Sequence, residues 1–307
     1  MNFKRLSHFV AVAESKTLSS AAEKLHVVQP AISQSIKKLE EELGAQLFTR
    51  SRKGMKLTSE GEVFIKYAHG ILDQYNRAKE SVANLDKTLS GRVSVAMTAS
   101  ALNVLSTEIF LLIQAEFPDI ELSLEEGLTA NINFGLEAGW YDLVVSFDSE
   151  ANEAIETVDL IDEVLYLVTP YREQSMSEIE FSSLAKYPII QPQDQHAVSA
   201  TLSKQSKELG IEINVLKTHS ALHPALQIIE SGSANAILPW SAIFDRVEYN
   251  RLSASKIINP DLRRRVGIIH KLHKPLTPAA IAVMAVIREA TKTVHEKGNW
   301  HGELLLQ

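Results

Sequence analysis

The 307-residue sequence predicts an α/β protein in three parts: a helical head ending in a small β wing, one long helix, and a body of two α/β lobes. Three observations carry that expectation. Charge is divided along the chain: residues 1–58 hold ten Lys/Arg against five Glu, leaving 21 basic and 33 acidic side chains elsewhere under a net charge of −7. Apolar residues recur at helical spacing through most of the first 89 positions. Beyond Ser90-Gly91 they fall into short strand-like runs that alternate with helices, the rhythm of a sheet covered on both faces.

Each element has a local cause. Phe3, Leu6, Phe9/Val10 and Ala13 make a first amphipathic helix. Thr17 to Ser20 supply N-caps, and Ser20 to Glu23 has capping-box spacing, so a short helix runs to about Leu25. After His26-Val27-Val28, Gln29-Pro30 opens a third helix that Gly44 stops. Ile32, Ile36, Leu39 and Leu43 form its buried stripe, which leaves Gln29, Ser33, Gln34, Lys37 and Lys38 outward. A short helix, a tight turn and a longer helix entered by amides and hydroxyls is a helix-turn-helix. Glutamine amides pair bidentately with adenine, hydroxyls serve several base edges, and lysines reach phosphates. Phe48 to Leu57 gives strand, basic turn, strand: a wing whose Arg50, Arg52, Lys53 and Lys56 grip the backbone. Glu40, Glu41 and Glu42 are expected at the helix end that points away from DNA.

The run Ala21-Ala22-Glu23-Lys24-Leu25-His26-Val27-Val28-Gln29-Pro30-Ala31-Ile32-Ser33, with Ile36-Lys37-Lys38-Leu39-Glu40, Leu43-Gly44, Leu47-Phe48-Thr49-Arg50 and Leu57-Thr58-Ser59-Glu60-Gly61, resembles the LysR-type transcriptional regulator family. The likeness extends over essentially the whole chain. It implies base reading at Gln29, Pro30, Ser33 and Gln34 and backbone contacts at Arg50 and Lys53. With Ser19, Ser20, Lys37 and Arg52 these are the candidate DNA-binding residues. Val28 stands where the family usually carries a second Ser/Thr of the turn.

Thr58 or Ser59 caps the next helix. Phe64, Ala68, Ile71, Tyr75, Ala78, Val82, Leu85 and Leu89 alternate steps of four and three, a heptad seam that predicts a dimerisation helix of about 30 residues and about 45 Å. The domains expected are 1–58 for the winged helix-turn-helix, 59–89 for the linker helix, and 90–307 for an effector-binding body. Within the body, residues 92–161 and 267–299 form one subdomain and 162–266 the other, an arrangement like that of periplasmic binding proteins, which the family likeness also implies.

In the body, strands are expected at 93–97, 120–124, 142–147, 164–169, 188–191, 213–217, 235–239 and 265–270, with a last helix from Thr277 to about Val294. Ligands of such sheets bind outside the carboxyl ends of the strands. Thr98, Ala99, Ser100, Thr129 and Ser146 from the first lobe, with His196 and His219 from the second, are the candidate effector-binding residues. Ser100 and Thr129 sit where the family commonly places effector-contacting hydroxyls; their other reading is plain helix capping. The family often has Arg just after the His196 segment, where this chain has Ser199.

Absent cysteine removes disulfide scaffolds, Cys-ligated metals and thiol catalysis. No Walker or dinucleotide glycine loop and no Gly-x-Ser-x-Gly elbow is present. His270 and His273 would face opposite sides of a strand, so neither metal nor cofactor is expected. Asp142 and the acidic runs 121–126 and 159–163 look like strand-edge and surface charges. The expectation is therefore a ligand-responsive, non-enzymatic transcription factor rather than a DNA-binding head fused to an enzyme. Its partners would be double-stranded DNA carrying an interrupted palindrome, a small-molecule effector, further copies of itself as dimer or tetramer, and RNA polymerase. The polar start, Met1-Asn2-Phe3-Lys4-Arg5, and the absence of a long apolar run point to the cytoplasm and away from the membrane.

Overall fold

Helix α1 (Phe3–Ser15) begins where the Asn2 side chain accepts a hydrogen bond from the Lys4 amide at 2.9 Å. It ends at Lys16, whose left-handed φ of 58° turns the chain. Thr17 caps α2 (Leu18–Lys24) by accepting from the Ser20 amide at 3.1 Å, so the helix starts before the Ser20–Glu23 box and does not use it. Helix α3 (Gln29–Leu43) starts on proline and stops at Gly44, φ 66°. Strands β1 (Phe48–Ser51) and β2 (Gly54–Leu57) pair antiparallel, with Arg50 opposite Met55. Helix α4 (Ser59–Ala83) follows, and the Thr58 hydroxyl caps it through the Gly61 amide at 3.0 Å. The computed structural model describes residues 2–51, 54–83, 89–147, 154–192, 197–219 and 221–306. It divides into residues 1–87 with 137–140, and residues 88–136 with 141–307.

The core of the first unit joins Leu6, Phe9 and Val12 of α1 to Ile32, Ile36 and Leu39 of α3, with Leu47 and Phe48 beneath. Leu43, expected on the buried stripe, is 40% exposed, because the last turn of α3 runs past the core. The first half of the α4 heptad seam packs within its own chain. Phe64, Ala68 and Ile71 pack on the head's own core, and Tyr75 stacks on Phe3 with centroids 4.3 Å apart. A period of 3.5 states that one stripe of a helix is buried, not which helix covers it. Of the rest of the seam, Leu85 and the side chains of Ala78 and Val82 lie outside the described residues, while Leu89 packs on the core of the second unit. On α4 the apolar residues Val63 and Tyr67 are exposed.

The second unit runs β3 (Gly91–Met97), α5 (Ala99–Glu116), β4 (Ile120–Glu126), α6 (Thr129–Ala138), β5 (Leu143–Phe147), β6 (Ile155–Pro170) and β7 (Glu178–Glu180). It continues with β8 (Ile189–Pro192), α7 (Ala197–Leu209), β9 (Val215–His219), α8 (Leu222–Glu230), β10 (Ala236–Pro239), α9 (Phe244–Glu248), β11 (Leu252–Ile258), β12 (Arg263–Lys271), α10 (Pro278–Glu296) and β13 (Gly302–Leu304). The main sheet has the order β4-β3-β5-β12-β6-β11-β7, with β10 and β13 also paired to β6. Strands β4, β3 and β5 are parallel, as the alternating rhythm implies, but β12 is antiparallel to both β5 and β6. Pairing direction depends on where the chain returns, which periodicity does not encode.

Strand β6 joins two cores. Residues 155–164 pair with β12, and residues 165–170 pair with β10 and β11. Val93, Val95, Leu105, Ile109, Ile161 and Trp300 belong to the first core. Further along, Val164, Tyr166 and Val168 face one cluster while Leu165 and Leu167 face another, so both faces of the strand are buried. The expected strand at 164–169 thus begins nine residues earlier. Its acidic start is not all surface: Asp159 and Asp162 meet Arg265 and Arg263 at 3.3 and 3.7 Å, but Glu163 is 0% exposed. Asp142 is buried as well, and accepts from the Ser94 amide at 3.0 Å.

Candidate nucleic-acid interface and ligand cleft

In the head, burying Ile32, Ile36 and Leu39 turns the opposite side of α3 outward. Gln29, Pro30, Gln34, Lys37 and Lys38 are exposed, with Ser33 half-buried beside them. The tight turn depends on His26 in the left-handed region, φ 52°, and on the Val27 amide donating to the Ala22 carbonyl at 3.0 Å. This brings Ser19 of α2 to the start of α3, where its hydroxyl donates to Gln29 Oε1 at 3.4 Å. The Ser20 hydroxyl instead accepts from Thr17 Oγ1 at 2.9 Å. Lys37 lies 3.8 Å from Glu41, an exposed pair weak enough to exchange for a phosphate. Glu40 and Glu42 are engaged on the head itself. Glu40 accepts from the Leu47 and Phe48 amides at 2.8 and 3.2 Å, which positions β1, and Glu42 pairs with Arg5 at 3.0 Å.

The hairpin is fixed to the turn between α1 and α2, because the Met55 amide donates to the Lys16 carbonyl at 2.8 Å. Gly54 is required there: its φ is +112°, and a Cβ would lie 2.4 Å from that carbonyl oxygen. Arg52, Lys53 and the Arg50 side chain lie outside the described residues. Between α1 and α3, buried His8 shares a 2.8 Å hydrogen bond with Ser35; burial, then the nearby Lys4 charge, holds its pKa below the usual 6.5.

In the body, Thr98, Ala99 and Ser100 follow β3, Thr129 opens α6 after β4, and Ser146 is near the end of β5. These three strands are neighbours, so the five residues sit at one edge of the sheet. Thr98 is buried and its amide donates to the Val145 carbonyl at 3.1 Å, but its hydroxyl makes no cap bond. Ala99 is half-buried at the first position of α5. Ser146 is fully buried inside the strand rather than in the loop after it. Its hydroxyl and that of Thr129 are buried without a hydrogen-bond partner among the described residues. His196 is outside those residues; His219 ends β9, with its side chain outside them.

Ser100 is held by a residue that pattern reading missed. Arg264 Nη2 donates to Ser100 Oγ at 2.9 Å, its Nε donates to Glu163 Oε1 at 2.5 Å, and its guanidinium lies 4.3 Å from the centre of the Phe147 ring. Glu163 also accepts from Ser241 Oγ at 2.9 Å and Trp300 Nε1 at 2.6 Å. Every contact satisfies part of a charge that would otherwise be costly to bury. One sequence signal existed: three consecutive arginines on a strand place the middle one on the opposite face from its neighbours, and 264 is the buried one. Nearby, the Tyr166 hydroxyl meets His301 Nδ1 at 2.9 Å and the His301 ring stacks on Trp240. Burial raises the Tyr166 pKa; burial, then His295, lowers that of His301. Among the described residues no group of three His, Asp or Glu could hold a metal, and no helix is long and apolar enough to cross a membrane.

The model of the bacterial regulatory helix-turn-helix protein, lysR family, matches residues 3–62, and that of the LysR substrate binding domain matches residues 86–292. The chain is 28% identical over 302 residues to the nitrogen assimilation regulatory protein nac of Escherichia coli (strain K12), covering 98% of this chain and 99% of the relative. It is 26% identical over 279 residues to the DNA-binding transcriptional dual regulator OxyR of the same strain, covering 90% and 91%. Full-length CbnR complexed with its target DNA has a TM-score of 0.71 at 24% identity, covering 96% of this chain and 100% of that one. A full-length OxyR variant from Pseudomonas aeruginosa has 0.68 at 23%, covering 95% and 98%; both structures speak for the fold. With a basic head that turns an amide-rich helix outward and a body built around a polar sheet edge, the chain belongs to the LysR family of DNA-binding transcriptional regulators.

Proposed function

We propose that this chain is a cytoplasmic, non-enzymatic regulator in which residues 1–58 read DNA, residues 59–89 link copies into dimers, and residues 90–307 sense a small polar molecule. The copies place two heads on an interrupted palindrome and pair further into tetramers. The observation that carries the sensing role is the pair of buried hydroxyls, Thr129 and Ser146, that have no hydrogen-bond partner among the described residues and lie at the same sheet edge as Ser100. Native proteins seldom leave such groups unpaired, and a bound polar ligand supplies the missing partner. Exposed Val63 and Tyr67 on α4 support self-association through that helix.

The ligand acts only if it prefers one arrangement of the two lobes, since equal affinity for both shifts nothing. Strand β6 supplies the mechanical link, because it runs unbroken through the cores of both lobes. A thermal-shift screen of small metabolites on the full-length protein tests the reading. The expected hit raises the melting temperature, is not consumed, and changes the affinity or footprint on DNA. A hit that is turned over, or that leaves DNA binding unchanged, would count against it.

A further inference from the structure

Val28 is 70% exposed and is the N-cap of α3, yet it makes no side-chain cap bond. Both properties make it a poor choice for folding. Valine ranks among the weakest N-caps, where Ser, Thr, Asp or Asn would satisfy an orphan amide. An apolar side chain left in water contributes nothing to the core, and its neighbour Val27 already packs there. Around Val28 lie exposed Gln29 and Pro30, with Ser19 hydrogen-bonded to Gln29. A residue that forfeits a cap beside the proposed base-facing Gln29 and Pro30 is accounted for by what that row binds.

We propose that Val28 is a specificity-determining residue that reads the C5-methyl group of a thymine in the major groove. This rests on the assignment of the head as a base reader and goes beyond it by naming one base feature. The argument is chemical. Valine can neither donate nor accept a hydrogen bond, so pressing it against a phosphate or a polar base edge would strip water from that group without replacement. Among the groups presented in the major groove, the thymine methyl is the apolar one. The two γ-methyls of Val28, already exposed, bury it without rearranging the head.

The test lets the full-length protein enrich its own sites from random-sequence duplex DNA. Each thymine of the enriched site is then replaced in turn by deoxyuridine, which removes one methyl and no hydrogen bond. One replacement per half-site is expected to weaken wild-type binding about fourfold, the size of one buried methyl. Val28→Ser, at an exposed position, should bind the thymine and deoxyuridine duplexes equally there, and Val28→Ala, which keeps one methyl, should show a smaller difference than the wild type. The ratio within each variant is unaffected by any new phosphate contact of the serine. Methyl sensitivity that survives in Val28→Ser, or its absence in the wild type, overturns the proposal alone. A pool that never enriches overturns the base-reading assignment of the head, and the proposal with it.

Discussion

In the head, Gln29, Pro30, Gln34 and Lys37 stand exposed on one side of a helix, and among the described residues Gln29 and Lys37 have only loose or exchangeable partners. In the body, Ser100, Ser146, Glu163 and Arg264 are at least nine-tenths buried, and three of the four are bound into one network. Under the proposed function the difference follows from the ligand. DNA is large and brings its own water-exposed edges to a surface, so the head can hold its polar groups in solvent and exchange water for bases. A small molecule must be enclosed, so the body has to desolvate polar groups beforehand and balance them internally. Function and stability are therefore separable in the head and entangled in the body.

The largest expected effect tests that entanglement. Glu163→Ala leaves the Arg264 cation buried without its carboxylate and should destabilise the body by about 3–5 kcal/mol. In denaturant unfolding of the full chain, Gln29→Ala should stay within about 0.5 kcal/mol of wild type. Replacing both Glu163 and Arg264 by methionine should recover much of the loss. If Glu163→Ala unfolds no earlier than Gln29→Ala, the contrast between the regions is wrong.

Next comes the head's own function. Gln29→Ala with Ser33→Ala should weaken specific binding by about 1–3 kcal/mol per lost base contact while scrambled DNA is bound as before. Competition titrations at fixed salt measure both, and equal losses would show that these side chains read no bases.

A third comparison lies inside the body, between two hydroxyls that the sequence treats alike. Ser100→Val removes the acceptor of Arg264 Nη2 and should cost about 1–3 kcal/mol in thermal or denaturant unfolding. Thr129→Val removes a hydroxyl without a partner among the described residues and should be neutral or slightly stabilising, while reducing the response to any ligand found by screening. Equal destabilisation by the two would contradict the assigned hydrogen bonding.

The smallest effect is a shared one. The pKa of His8 in the head and of His301 in the body are both lowered by burial. A histidine whose folded pKa lies below the unfolded value binds fewer protons when folded, so it contributes stability above about pH 6.5 that is lost as pH falls through the folded pKa. Melting curves of the wild type from pH 7.5 downward should show this decline, and His8→Asn should flatten it in the head transition alone. A head that gains stability on acidification would reverse the assigned sign.

The turn-helix pair, the wing and the strand-end hydroxyls were legible because their signals are local. Ile32, Ile36 and Leu39 fall on one helical face, and Gly44 and Gly54 stand where positive φ is needed. The partner of each surface was not legible. Phe64, Ala68 and Ile71 announce a buried stripe equally well against a second copy or against the head's own α1, and only the fold chose α1 for them.

By itself, then, the sequence determined the periodic features: which residues are helical, where the chain turns, which face of α3 is polar, and which strand ends carry hydroxyls. Tertiary structure decided the contacts between distant positions. Glu163 and Arg264 are 101 residues apart, and Trp300 comes from 137 residues beyond Glu163 to donate to the same carboxylate. Period and propensity are set by the energetics of neighbouring residues and can be read along the chain. The favourable burial of a charge depends on a partner that the chain supplies only after it has folded back on itself.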